Sequence, residues 1–198
     1  MNILIDVVPT SVEIDNKSYE INSDFRNSIL FELLMQDSNL SEEEKIIQAL
    51  ELYYPTVPNN LTEAVEKMLW FYRCDKEVRE SKEKVDGKSF TQIYSFEYDD
   101  DYIYSAFLNQ YGIDLQGVEY LHWWKFKAMF KSLKEDNEIV KIMNYRAMDL
   151  SKIKDKEQRE FYKKMKTLYE IPKSKNEIEK INNIEEALLN GGDLSNIL

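Results

Sequence analysis

Apolar positions along this chain recur first at every second residue and afterwards at every third or fourth. Residues 11–21, SVEIDNKSYEI, place Val12 and Ile14 in alternation, then Asp15-Asn16, then Tyr19 and Ile21. Alternation on both sides of a two-residue polar step predicts a β-hairpin, and Asn16 tolerates the positive φ that a tight turn needs. A lone hairpin is marginal in water, so this one is expected to lie on helices or to pair with the edge of another chain.

The helical period begins after residue 22. Ser23 is placed to cap a segment carrying Phe25, Ile29 and Leu33, widened by Leu30 and Leu34. Ser41 and Glu44 form a capping box ahead of Ile46, Ile47, Leu50 and Tyr54. Pro55 and Pro58 bracket a rigid link. Asn60 with Glu63 then opens a helix whose stripe is Leu61, Val65, Met68 and Tyr72, with Ala64 and Phe71 flanking it and Trp70 off to the side.

Residues 75–89, DKEVRESKEKVDGKS, hold ten charged side chains and cannot bury a face, which predicts a surface linker. Residues 90–98 alternate weakly and read as extended. Asp99, Asp100 and Asp101 open the next helix by capping and dipole complementarity, Ile103, Tyr104, Phe107, Leu108 and Tyr111 form its stripe, and Gly112 is placed to end it in a left-handed cap. Asp114 is placed to cap a central helix running to about Leu133.

The densest part of that helix is residues 119–133, EYLHWWKFKAMFKSL. At about 100° per residue, His122, Trp123, Phe126, Met129, Phe130 and Leu133 share one arc, the expected core face. Lys127, Lys131 and Lys134 occupy the neighbouring arc with Tyr120 among them. Trp124 falls at its far edge beside Lys131, the position least explained by an interior. Beyond residue 136 the pattern stays helical, with Ile139, Ile142, Met143 and Tyr145, then Phe161, Met165, Leu168 and Tyr169. A final stripe of Ile178, Ile181, Ile184 and Leu188 ends at Asn190-Gly191-Gly192. The expected fold is α+β and mostly α: a helical core domain over residues 1–136 with an N-terminal hairpin and the charged loop inside it, followed by a C-terminal helical extension, 137–198, that packs on the core or on a partner.

Composition narrows the class. A chain of 198 residues is long enough for one well-buried core, and 43% hydrophobic content with thirteen tyrosines argues against general disorder. The net charge of -11 disfavours nonspecific binding to nucleic acid or anionic membrane. That charge is uneven: residues 125–170 hold 13 basic and 8 acidic side chains, +5, leaving -16 elsewhere. The lone Cys74 fits a reducing compartment and reads as a buried, inert thiol. The N-terminal MNILIDVVPT lacks a basic region and a long apolar run, so no signal peptide is expected, and no apolar run reaches membrane-spanning length.

Little in the sequence points to catalysis. No phosphate loop, dinucleotide fingerprint, nucleophile elbow or CxxC pair occurs. His122, the single histidine, reads as a core residue bonded to the Glu119 carboxylate. The three successive aspartates point about 100° apart on a helix and do not converge on an ion. No cofactor and no metal is expected, and the chain reads as a binding protein rather than an enzyme.

Two runs, FEYDDDYIYSAFLNQYGIDL from residue 96 and EYLHWWKFKAMFKSL from residue 119, resemble the signature region of the bacteriophage gene-product-fifteen family of tailed phages from low-GC Gram-positive hosts. The hairpin SVEIDNKSYEIN, the run SDFRNSILFELL, the SEEEK helix and LWFYRC resemble it too. The resemblance spans roughly residues 9–133; at Asp75 the family leads one to expect a glycine after RC. What it implies is a gene lying between those of the major tail protein and the tape measure protein. It further implies a tail-assembly chaperone in the host cytoplasm whose partners are the tape measure protein and a neighbouring tail-assembly protein. The alternatives are a minor structural tail component and, less favoured, a nucleic-acid-binding phage protein using Lys127, Lys131, Lys134 and Trp124. The expected partner-contact residues are Trp124, Tyr120, Trp70, Lys127 and Lys131.

Overall fold

The computed structural model describes residues 1–76 and 92–172. The expectations for residues 77–89 of the charged linker and for the final stripe ending at Asn190-Gly191-Gly192 lie outside those residues. The fold is α+β and mostly α: a two-stranded sheet followed by seven α-helices among the described residues.

Strands β1 (Ser11–Ile14) and β2 (Lys17–Glu20) pair antiparallel, with Ser11 opposite Glu20 and Ile14 opposite Lys17. Both turn residues are left-handed, Asp15 at φ 48° and Asn16 at φ 57°. That conformation follows the right-handed twist of the strands. Val12 and Ile14 are buried. The hairpin lies on a helix of its own chain: Asn60 Nδ2 donates to Asp15 Oδ1 at 2.9 Å, and the Asp15 amide donates to Glu63 at 3.1 Å.

Helices α1 (Phe25–Gln36), α2 (Glu42–Tyr53) and α3 (Leu61–Tyr72) come next. The cap of α1 is Asp24, not Ser23: its carboxylate accepts from the Arg26 amide, while the Ser23 hydroxyl is turned to the Tyr120 hydroxyl at 2.7 Å. Asp24 wins because its second oxygen also accepts from the Leu121 amide, tying the helix start to a distant stretch of chain. The capping box of Ser41 and Glu44 is present, as is the Asn60 cap on the Glu63 amide. The buried face of α2 is turned from the expected one. Ala49, Leu50, Tyr53 and Tyr54 enter the core, whereas Ile46 and Ile47 are exposed. Tyr53 sets that rotation by bonding Ser28 on α1 at 2.8 Å, and Tyr54 by donating to the Ala64 carbonyl of α3 at 2.8 Å.

Residues 92–95 carry no regular element and 96–98 form a turn leading into α4 (Asp100–Tyr111). Gly112, at φ 66°, ends α4 in a left-handed cap, its amide donating to the Leu108 carbonyl. Asp114 caps a turn rather than a helix, accepting from the Gln116 amide at 2.9 Å.

The expected helix over residues 119–133 is shorter at its front, because α5 spans Trp123–Lys131. Residues 119–122 lie outside the helix, since their backbone is used elsewhere. The Phe25 amide donates to the Leu121 carbonyl at 2.9 Å and the Trp123 amide to the Ser23 carbonyl at 2.8 Å. Tertiary pairing overrides a local helical pattern there. Helices α6 (Glu138–Ala147) and α7 (Lys156–Leu168) complete the described chain, separated by a 3-10 turn at Leu150–Lys152. Ile139 and Ile142 of α6 are fully buried.

Phe126 is the hub of the core. Its ring stacks on Phe107 at 4.8 Å, on Phe25 at 4.9 Å, on Trp123 at 5.7 Å and on Phe130 at 6.2 Å. One residue of α5 thus joins α1, α4 and its own neighbours.

A candidate contact groove between the fifth and sixth helices

Helix α5 is positioned by His122. Its Nδ1 accepts from the Trp124 amide at 3.0 Å, which leaves Nε2 as the donor to the Pro9 carbonyl at 2.9 Å. The partner expected for this histidine, Glu119, is replaced by two backbone groups. Burial lowers the imidazole pKa below its ordinary value. The neutral ring is the one that caps the helix, because protonation of Nδ1 removes the acceptor.

The paired tryptophans then explain each other. The last carbonyls of any helix lack intrahelical donors, and at the end of α3 these are served from α5. Trp124 Nε1 donates to the Phe71 carbonyl at 2.7 Å, Trp123 Nε1 to the Tyr72 carbonyl at 2.9 Å, and Lys127 Nζ to the same Tyr72 carbonyl at 3.3 Å. Each indole therefore offers an apolar body to the core and its one donor to a carbonyl at the end of α3.

This geometry corrects the reading of Trp124 as a solvent-edge contact. It is only 4% exposed, and its ring lies edge-on to Trp70 at 5.5 Å. Trp70 is half-buried, with Nε1 donating to Asp75 at 2.7 Å. Lys127 is also drawn inward, lying over the rings of Tyr72 and Trp123 at 4.5 and 5.0 Å, and burial lowers its pKa. Tyr120 is 51% exposed with its hydroxyl on Ser23, apart from the others. Lys131 is exposed. Trp124, Lys127 and Lys131 meet at a depression of about 400 Å³ that also touches Arg73, Cys74 and Lys76. Cys74 there is half-buried, and burial raises its thiol pKa.

Asp75 occupies the position where the family resemblance leads one to expect glycine, and its φ of 56° gives the reason. An L-residue is strained in that region. The Asp75 carboxylate compensates by accepting from Trp70 and from the N-terminal amine, both at 2.7 Å.

A second concavity, about 320 Å³ in volume, opens between α5, α6 and residues 93–96. Trp123 and Phe126, both buried, lie at its base; Tyr94, Phe96, Phe130, Val140 and Met143 line it, together with Lys127 and the exposed Lys131. Of the five contact residues expected from sequence, only these two lysines reach it. Its walls were missed because α6 carries two apolar arcs. Ile139 and Ile142 face the core, and Val140 and Met143, each one residue later, lie about 100° round and half-buried. The sequence signal for the opposite wall was the weak alternation of residues 90–98.

Arg146 fastens this region together. Its guanidinium makes a bidentate pair with Asp99 at 2.5 and 2.9 Å, donates to the Ile93 carbonyl at 3.2 Å, and donates through Nε to the Tyr169 carbonyl at 2.6 Å. Asp99 accepts from the Ser95 amide as well, at 2.8 Å. Of the three successive aspartates, Asp99 alone is buried. It serves an arginine rather than a helix cap. Among the described residues no three histidine, cysteine, aspartate or glutamate side chains gather as a metal ion requires, and no helix is long and apolar enough to cross a membrane.

The described residues thus define a helical α+β domain with a hydrogen-bonded aromatic centre and an apolar groove. The chain belongs to the bacteriophage Gp15 protein family, which matches residues 4–171. It is a bacteriophage protein. No curated protein and no solved structure gives a significant match to the chain.

Proposed function

We propose that this protein is a non-enzymatic tail-assembly chaperone that holds the tape measure protein soluble in the host cytoplasm, with a neighbouring tail-assembly protein as a second partner. The observation that carries the reading is the groove between α5 and α6. Its walls are aromatic, aliphatic and thioether side chains, the surface on which an amphipathic helix lays its apolar face. Met143 is unbranched and polarizable and adapts to varied ligands. Lys131, exposed at the edge, suits an acidic position flanking an apolar stripe. A long helical protein awaiting enclosure exposes many such stripes, and a partner of net charge -11 keeps the complex dispersed by repulsion.

Co-expression with the tape measure protein of the same genome tests the reading. A soluble complex recovered by pull-down is expected, with the tape measure protein precipitating when expressed alone. Equal solubility with and without this chain would contradict it.

A second reading, a minor structural tail component, draws support from the N-terminal segment. Leu4, Ile5 and Val7 are 79–92% exposed and close together in sequence, a cluster that suits a lasting contact in an assembled particle. Mass spectrometry of purified virions separates the two, since a chaperone is absent from them and a component is present in fixed copy number.

A further inference from the structure

The N-terminal turn is built to hold apolar side chains outward. The Asn2 carbonyl accepts from the Ile5 and Asp6 amides at 3.1 and 2.8 Å, its side chain accepts from the Leu4 amide at 3.0 Å, and its own amide donates to Asp6 Oδ2 at 2.7 Å. With these backbone groups bonded locally, Leu4, Ile5 and Val7 stand out as a preformed apolar knob. A preformed contact loses little freedom on binding.

Within one copy the knob and the groove are kept apart. Ile3 lies in the depression beside Trp124 and Lys127, and His122, at the start of α5, holds the Pro9 carbonyl. Both anchors fasten the turn on the α3 side of α5, whereas the groove opens on the α6 side. A second copy brings its knob without that tether.

Charge favours the same meeting. Residues 1–10 carry one acidic side chain and no basic one, and residues 123–134 carry four lysines and no acidic side chain. Two copies of a chain with net charge -11 repel over most of their surfaces and attract where these two segments meet. Asp6 is exposed on the knob and Lys131 is exposed beside the groove.

We propose that the N-terminal turn of one copy docks in the groove between α5 and α6 of another, seating Leu4, Ile5 and Val7 against Phe130, Val140 and Met143. One contact thereby covers two apolar surfaces that each copy leaves open. Docking needs only the turn and the groove; competition with the tape measure protein for that groove rests on the chaperone reading above.

The test uses full chains carrying Cys74→Ser, so that introduced thiols are the only ones. A chain with Leu4→Cys is mixed in equal amount with a chain carrying Met143→Cys or Val140→Cys and oxidised with glutathione disulfide. A mixed disulfide above the share given by random pairing is expected for at least one of the two, and none above that share with Ile47→Cys on α2. Random pairing at both groove positions, or equal bonding to position 47, would overturn docking. Sedimentation equilibrium supplies the second measurement. The wild-type mass is expected to rise above that of the monomer with concentration, and Leu4→Asp with Ile5→Asp, both at exposed positions, to stay monomeric with an unchanged Tm. A wild-type chain that is monomeric up to about 1 mM, or a variant that associates equally, would also overturn it. In pull-down the variant is expected to bind the tape measure protein at least as tightly as wild type. Weaker binding overturns the competition, and cross-linking with no tape measure binding by either chain retains docking and overturns the chaperone reading.

Discussion

Two regions built on α5 differ in one respect that matters for function. On the side facing α3, aromatic density is highest, and every indole donor has an internal acceptor: Trp123 and Trp124 spend their N–H groups on the last carbonyls of α3, and Trp70 spends its own on Asp75. On the side facing α6, the walls are Phe130, Val140, Met143 and Tyr94, and a trough stays open between them. Aromatic content marks where this chain is held together. The proposed contact surface lies where apolar side chains line a concavity that their own helices leave unfilled.

The comparison breaks first at Trp124. Replacing it with alanine removes a buried ring and leaves the Phe71 carbonyl with backbone donors alone, for an expected loss of about 3–5 kcal/mol and a fall in Tm of about 6–20 °C in calorimetry. A Tm within a degree or two of wild type would return Trp124 to the surface. Asp99→Ala comes next. It strands Arg146 as a buried charge and is expected to cost about 3–5 kcal/mol in denaturant unfolding, with Asp99→Asn less damaging because it keeps one acceptor. The same change releases from its carboxylate the guanidinium that bonds the Ile93 and Tyr169 carbonyls, so it is expected to alter the groove as well as stability.

Smaller effects sharpen the contrast on the α3 side. At Asp75 both Ala and Gly lose the bond to Trp70, and only Ala keeps a side chain at φ 56°. Asp75→Gly should therefore be more stable than Asp75→Ala by about 1–2 kcal/mol, read from urea midpoints. His122 supplies a pH signature. Its folded-state pKa is lowered by burial, so the unfolded chain binds the proton first as pH falls. The histidine's contribution is present above the ordinary imidazole value of 6.5 and is lost as pH drops below it. Glu32, whose pKa burial raises, contributes with the opposite slope. The measurement is accordingly the difference between wild type and His122→Asn, a substitution that keeps a capping side chain. The acid-side loss as pH falls below 6.5 should be shallower in the variant, and parallel curves would remove His122 as its source.

Much of the fold was legible because local rules and tertiary structure agree. The hairpin turn at Asp15-Asn16, the capping box at Ser41, the cap at Asn60 and the stop at Gly112 each follow from the conformational preference or capping chemistry of the residues at that point, and such signals are written within four or five residues. Where the reading slipped, a distant partner decided. Residues 119–122 carry a helical pattern yet are held out of the helix by bonds to residues 23–25, and Tyr53 and Tyr54 rotate α2 through bonds to α1 and α3. Trp124 was misplaced for the same reason: a wheel gives the angle of a side chain on its helix but not which helix end lies opposite it. The groove was harder still, because a concavity belongs to no single element, and Val140 and Met143 on α6 look like ordinary edge positions until Tyr94 and Phe130 stand across from them.

The central claim is that the open side of α5, rather than its tryptophan-rich side, is the contact surface. Met143→Asp tests it most directly, since a half-buried wall residue should cost about 1 kcal/mol or less in stability while placing a charge on the path of an apolar stripe. Measured side by side with wild type in co-purification with the tape measure protein, the folded variant is expected to lose the partner at least about tenfold, or about 1.4 kcal/mol. A variant that melts like wild type and still retains the partner at wild-type strength would contradict the account.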